Sequence, residues 1–292
     1  MSQFALPPQV WPHHHSPVFF TKNGTPYLKG PGAAIIGQTH TNLEGARDFL
    51  KDFGFEAYLE DPDKLTSGEA LVKFAGQLCY MALGIGRSFN AAASKYLEHI
   101  KQSGHGSVTE HVSASLLFYG LSRSQTHELV RHRAGFAYSQ LSQRYVDGKL
   151  VRFLERPEYQ NHPELHRLFE ERIDRDATEY EKIASILLEV QKSGDEIMTA
   201  DRKTDMRKKV NQAARSVLPN ETEAPIVVTA NVRAWRHFFE MRAAEGAEIE
   251  IRSLAFLTFT MLKEIWPILL EDYEAIRLSD GTDAVKTKNR KI

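Results

Sequence analysis

The chain carries one cysteine, Cys79, in 292 residues. A single thiol excludes an internal disulfide framework and any metal site built from several thiolates, and it fits a reducing compartment. An excess of one charge is also missing, since 37 Lys and Arg stand against 38 Asp and Glu for a formal net charge of −1. That balance argues against a nucleic-acid or membrane surface spread over the whole protein, so any anion site must be local. No apolar run reaches the ~18 residues that a membrane span requires. Nor does the N-terminus show a charged stretch leading into an apolar one, as a secretion signal would. The expected location is the cytoplasm, with neither nucleic acid nor membrane among the partners.

What is present is an ordinary globular composition, 42% hydrophobic and 26% charged, enough for one large domain or two small ones. Residues 1 to 32, with "PPQVWPHHHSP" and "GPG", show no sustained period and read as an extended arm. His13 to His15 are adjacent in that arm, where neighbouring side chains point to opposite sides, and no metal site is expected of them. From Ala33, "AAIIGQTH" reads as a strand, while "LVKFAGQLCYMALG" and "NAAASKYLEHIKQSG" read as helices, the second ending at the glycine Gly104. Cys79 lies in the first of these and reads as a small core thiol. In "VSASLLFY", Val112, Ala114, Leu116 and Phe118 alternate strictly, the mark of a half-buried strand. Ser122 is placed to cap a helix running to about Arg133.

Further on, residues 163 to 192 form an amphipathic stripe through Leu165, Leu168, Phe169, Ile173, Ala177, Tyr180, Ile183 and Leu187. A basic helix follows in "DRKTDMRKKVNQAARSVLP", stopped by Pro219, and then a short strand, "PIVVTAN". Helices over residues 232 to 245 and 248 to 272 close the fold. With no repeat and no linker, the simplest architecture is one α+β domain over residues 33 to 275, a small mixed or antiparallel sheet packed against long helices. Residues 276 to 292 read as a loose tail.

The chemistry concentrates in a few segments. "RHRAGFAYSQLSQRY", Arg131 to Tyr145, surrounds small, aromatic and amide residues with guanidinium groups. Between residues 123 and 144, four arginines, Arg123, Arg131, Arg133 and Arg144, stand against one acid, Glu128. Their planar forks match phosphate or carboxylate oxygens, so the expected partner is an anion, and Gln140, Ser142 and Gln143 supply the hydroxyl and amides that suit a nucleotide. A solvated, salt-bridged helix end is the alternative. Glu128 and Arg131 share a helical face, whereas Arg133 joins them only if the helix ends near Gly135. "GHGSVTEH" sets His105 and Ser107 in a turn, but its spacing to Glu110 and His111 is not that of a zinc site, and no metal is expected. Glu110 and His111 read as a satisfied polar pair beneath the sheet. "NVRAWRHFFEMR" opens on Asn231 as an N-cap, offers Arg233, His237 and Arg242 as a polar face, and turns Trp235, Phe238 and Phe239 inward.

Taken in order, "GHGSVTEH", "SRSQTHELVRHR", "RHRAGFAYSQLSQRY", "QAARSVLPN" and "NVRAWRHFFEMRA" resemble the flavin-dependent thymidylate synthases, a resemblance covering residues 71 to 260. The resemblance implies methylation of dUMP to dTMP, with methylenetetrahydrofolate as one-carbon donor, FAD as hydride carrier and NADPH as reductant. It also implies a homotetramer whose chains share active sites. Carried over position by position, Ser107, Arg131, His132, Arg133, Gln140, Asn231, Val232, Arg233 and His237 match flavin contacts. Glu128, Leu129, Val130, Arg131, Gln140, Leu141, Ser142, Gln143, Arg144, Arg215 and Arg242 match dUMP contacts. His105 matches a histidine beside flavin and folate, and Arg242 stands where a fixed cation would stabilise charge developing on the uracil.

Two departures from the family pattern stand out. Eight residues separate Arg133 from Ser142 where some members have seven, so a bulge is expected near Ala134 to Ala137. Gly246 occupies a place where other members carry a histidine close to the flavin. Two rival readings remain. One is an FAD-binding oxidoreductase of the same fold without methylation activity, toward which only Gly246 leans. The other is a nucleic-acid surface on the basic helices, against which the neutral total charge counts.

Overall fold

The structure is a computed structural model that describes residues 11–146, 151–192 and 200–289. The first ten residues of the expected arm, the last three of the tail and the side chains of residues 200–203 in the basic helix lie outside that description. Three short strands come first, β1 (His13–His14), β2 (Phe19–Phe20) and β3 (Pro26–Leu28), followed by the longer β4 (Gly32–Gln38). Helices α1 (Arg47–Asp52), α2 (Ser67–Leu78) and α3 (Ala93–Gln102) lead to β5 (Ser113–Tyr119). Next are α4 (Arg123–Leu129), β6 (Phe136–Gln140), β7 (Phe153–Leu154), α5 (Pro157–Gln160) and α6 (Pro163–Lys192). The chain continues through α7 (Ala200–Ala214), β8 (Ile226–Asn231), α8 (Val232–Arg242) and α9 (Ile249–Ile265) to a hairpin of β9 (Tyr273–Arg277) and β10 (Asp283–Thr287).

Five strands form an antiparallel sheet in the order β1-β4-β5-β8-β6. Alternation decides which face is covered: Ile35, Ala114, Leu116, Phe118, Val228 and Ala230 are buried on one side. There they meet Trp235, Phe238 and Phe239 of α8 and Leu254 and Phe259 of α9 in one continuous core. The α+β reading therefore holds. A second, mixed sheet, β2-β3-β7, joins β3 to β7 in parallel and packs Tyr27 and Phe153 against Phe169 and Ile173 of α6. No helix among the described residues is long and apolar enough to cross a membrane.

Several expectations need correction. Residues 11 to 32 are not a free arm, because β1 pairs with β4, β3 pairs with β7, and Tyr27 and Leu28 are buried. The tail is not loose either, since β10 pairs along β9 and buries Ala284 and Val285. Cys79 is exposed, because α2 stops at Leu78 and its buried face runs through Glu69, Val72, Lys73 and Gly76. α9 ends at Ile265, two residues before Pro267, whose ring disfavours helical backbone in the residue before it.

Candidate active site

The site is built where α4, β6 and α8 meet. Ser122 caps α4 as expected, its hydroxyl accepting from the Gln125 N–H at 3.0 Å. The helix ends at Leu129 rather than Arg133, so Arg131 to Arg133 lie on the turn beyond it. Gly135, at a φ of +75°, then sends the chain back into β6. A Cβ at Gly135 would sit 2.8 Å from the Ala234 Cβ and 3.0 Å from the Asn231 amide, so only glycine brings the turn this close to α8. Beyond the turn, β6 pairs with β8 in unbroken register from Phe136 to Gln140. The expected bulge at Ala134 to Ala137 is replaced by a glycine turn and an edge strand.

Asn231 caps α8, its Oδ1 accepting from the Ala234 N–H at 2.9 Å. This leaves the Asn231 amide nitrogen facing Gly135. Along α8, Trp235, Phe238 and Phe239 are buried while Arg233 and His237 are exposed, as the helical period requires. Arg242 at the helix end donates from Nη1 to the Glu128 carboxylate at 2.9 Å and from Nε to His132 Nε2 at 3.1 Å. His132 sits edge-on to His237 and Phe238. Burial, then the Arg242 cation, then His237 push the His132 imidazole down to about 4, so near neutral pH it is uncharged and accepts from Arg242.

The turn holding His105 and Ser107 is tied to the same helix, because Glu110 forms an ion pair with Arg233. His105, Ser107, Glu110 and His111 are all exposed. Glu110 and His111 are thus not a pair beneath the sheet: the segment turns as a short helix, Gly106–His111, and puts Val108 and Thr109 inside instead. Leu129 and Val232 are buried, and the Val232 N–H donates to the Val112 carbonyl at 2.8 Å, so neither offers a side chain to a ligand. Val130 and Leu141 are half-buried.

Downstream of β6, Ser142 accepts from the Arg144 backbone N–H at 3.4 Å, and no base among the described residues bonds to it as a nucleophile's partner would. Gln143 is buried with its amide nitrogen unpartnered, and Arg144 lines a cavity of about 480 Å³ with Tyr145, Arg207 and Lys208 between α6 and α7. Arg131, Arg133, Arg144 and Arg215 take no acidic partner among the described residues, whereas Arg233 and Arg242 do. No hydrogen bond or ion pair among the described residues links Arg144 or Arg215 to Arg242. Sequence reasoning missed Tyr138 and Thr126, which carry no charge but bond to the backbone and side chains of the signature.

Guanidinium groups without acidic partners among the described residues stand at the turn after α4 and beyond the edge strand of an α+β fold, where they can bind an anion. Residues 63–268 match the family model described as thymidylate synthase complementing protein. A flavin-dependent thymidylate synthase of Mycobacterium sp. (strain JLS) is 46% identical over 220 residues, covering 75% of this chain and 85% of that protein. One from Corynebacterium diphtheriae is 45% identical over 217 residues, covering 74% and 83%. The fold is shared with the UMP/dUMP methylase PolB of Streptomyces cacaoi, solved with 5-Br dUMP, at a TM-score of 0.56 and 18% identity, over 83% of this chain and 94% of that one. The chain belongs to the flavin-dependent thymidylate synthases.

Proposed function

We propose that the chain methylates dUMP to dTMP in the cytoplasm, with methylenetetrahydrofolate as one-carbon donor, FAD as hydride carrier and NADPH as reductant. The observation that carries the reading is the set of four arginines, Arg131, Arg133, Arg144 and Arg215, left without acidic partners among the described residues, where most of the other arginines are paired. Guanidinium groups so placed, beside polar amides, can make charge-assisted, bidentate bonds to an anionic ligand.

The donor set fits FAD. Arg133 is exposed and Arg131 half-buried, and both are free to hold a pyrophosphate; His237 lies edge-on to His132 of the same turn, the Asn231 side chain faces Gly135, and Ser107 is exposed on the segment that Glu110 ties to Arg233. FAD, when bound, supplies hydride transfer. The remaining work falls to the chain's own groups. Ser142, Arg144 and Arg215 hold the dUMP phosphate. Arg242, fixed by Glu128 and His132, presents a preorganised cation to the uracil, where it stabilises negative charge on N3 and O4 as C5 becomes nucleophilic. His105 lies on the exposed turn that Glu110 ties to Arg233, beside the flavin-facing residues.

A homotetramer whose subunits share active sites belongs to the same reading. Among the described residues no hydrogen bond or ion pair links the phosphate-facing arginines to Arg242, as expected if sites are shared between subunits. The second half of α6 leaves Ile186 60% and Val190 64% exposed, apolar area that a helix of another subunit would cover.

The test is the visible spectrum of the protein with FAD, followed anaerobically through NADPH reduction and then addition of dUMP and methylenetetrahydrofolate. Bleaching, recovery of colour only with both substrates, and formation of dTMP are expected. Recovery without dTMP would favour an FAD-dependent oxidoreductase of the same fold, and failure to bind FAD would overturn both.

A further inference from the structure

We infer that Tyr138 is a positioning residue, clamping the end of α4 to β6 so that the flavin-facing and dUMP-facing halves of the signature segment hold one register. The inference rests on the function proposed above and adds a residue that touches neither ligand.

A helix ends with carbonyls that have no intrahelical partner, and those at the end of α4 belong to the residues that carry the site. The Tyr138 hydroxyl lies 2.9 Å from the Leu129 carbonyl and 2.7 Å from the His132 carbonyl. One hydroxyl proton shared between two carbonyls ties the last helical residue to the histidine that meets Arg242. The ring cannot drift, because it stacks on Phe136 at 5.7 Å and an interplanar angle of 4°, and Phe136 packs edge-on against Trp235.

A second stitch lies two residues along the strand, on the same side by the period of two. Gln140 donates from Nε2 to Thr126 Oγ1 at 3.0 Å, and Thr126, fully buried one turn back in α4, is itself anchored by donating to the Arg123 carbonyl at 3.0 Å. β6 is thus fastened to α4 at two points. Upstream of the clamp stand Arg131 to Arg133; immediately downstream the chain enters Leu141 to Arg144. A shift of β6 along α4 would move the phosphate-facing residues relative to the turn that faces the flavin.

The experiment compares wild type with Tyr138→Phe, which keeps the stacked ring and loses the hydroxyl, and Thr126→Val, which keeps shape and loses the acceptor. FAD dissociation constants, KM for dUMP and kcat are measured for each. Loss of one such hydrogen bond is expected to raise the FAD dissociation constant and the dUMP KM together by about threefold to tenfold, with kcat changed far less. A residue that merely stabilised the fold would lower the melting temperature and leave both constants unmoved, and that result in Tyr138→Phe overturns the inference. Should that variant not fold, Thr126→Val decides on the same readings. If wild type forms no dTMP, the proposed function fails, and the FAD dissociation constants alone still judge the clamp.

Discussion

Arg242 and His132 meet through one hydrogen bond, guanidinium Nε to imidazole Nε2 at 3.1 Å, while the far end of the same guanidinium reaches Glu128. The fork is therefore held at both ends before any substrate arrives. Replacing Arg242 by Ala removes a cation whose stabilisation grows as charge builds on the uracil, so dTMP formation should fall by at least roughly 10²-fold. Flavin reduction by NADPH should stay within a few-fold of wild type. Arg242→Lys should recover little, since an ammonium cannot span both partners. Methylation at the wild-type rate in Arg242→Ala would remove this residue from the chemistry.

The same contact has a pH signature. His132 is held down to about 4 in the folded chain, first by burial and then by Arg242, against ~6.5 when unfolded. The unfolded state binds the proton first, so this contribution to stability is complete above ~6.5 and is lost as pH falls toward 4. A His132→Asn variant should lose less of its urea midpoint than wild type between pH 7 and pH 4.5. Parallel loss in the two proteins would mean that His132 does not titrate as its surroundings require.

Leu28 tests the corrected N-terminal segment. It is fully buried, pairs with Leu154 across the parallel β3–β7 ladder, and its carbonyl accepts from the Glu155 N–H at 2.8 Å. Leu28→Ala should destabilise the protein by about 2–5 kcal/mol in urea unfolding, the usual cost of emptying a closed core site. An unchanged midpoint would return this stretch to the status of a free arm.

These residues also show what the sequence made legible. Alternation marked β5, and the 3.6-residue period turned Trp235, Phe238 and Phe239 inward, because each signal is local and repeated. β3 had no such signal: three residues in a Pro- and Gly-rich stretch become a strand by pairing with β2 and with β7, the latter more than a hundred positions away. The signature arginines were readable only as candidate anion ligands, from their excess over acids. Which of them are neutralised was not, since Glu128 finds Arg242 and Glu110 finds Arg233 across similar distances in sequence. Tyr138 was illegible for another reason: its role is to satisfy carbonyls at a helix end whose position only the fold determines.

Gly246 offers the converse test, a position where the chain departs from its family and the structure leaves room. It is exposed, lies four residues beyond Arg242, and a Cβ there would meet nothing within 4 Å. Its backbone does not occupy the left-handed region, so no strain attends a larger side chain. The resemblance that identified the family places a flavin-facing histidine at this point. Gly246→His should therefore fold with stability changed by no more than about 0.5 kcal/mol, as for an open surface site. One added hydrogen bond or ring contact to FAD should lower its dissociation constant by roughly threefold to tenfold, read by quenching of flavin fluorescence. Tighter binding would show that the glycine weakened a contact its relatives keep, whereas an unchanged constant would mean that the turn after α8 does not face the flavin in this chain.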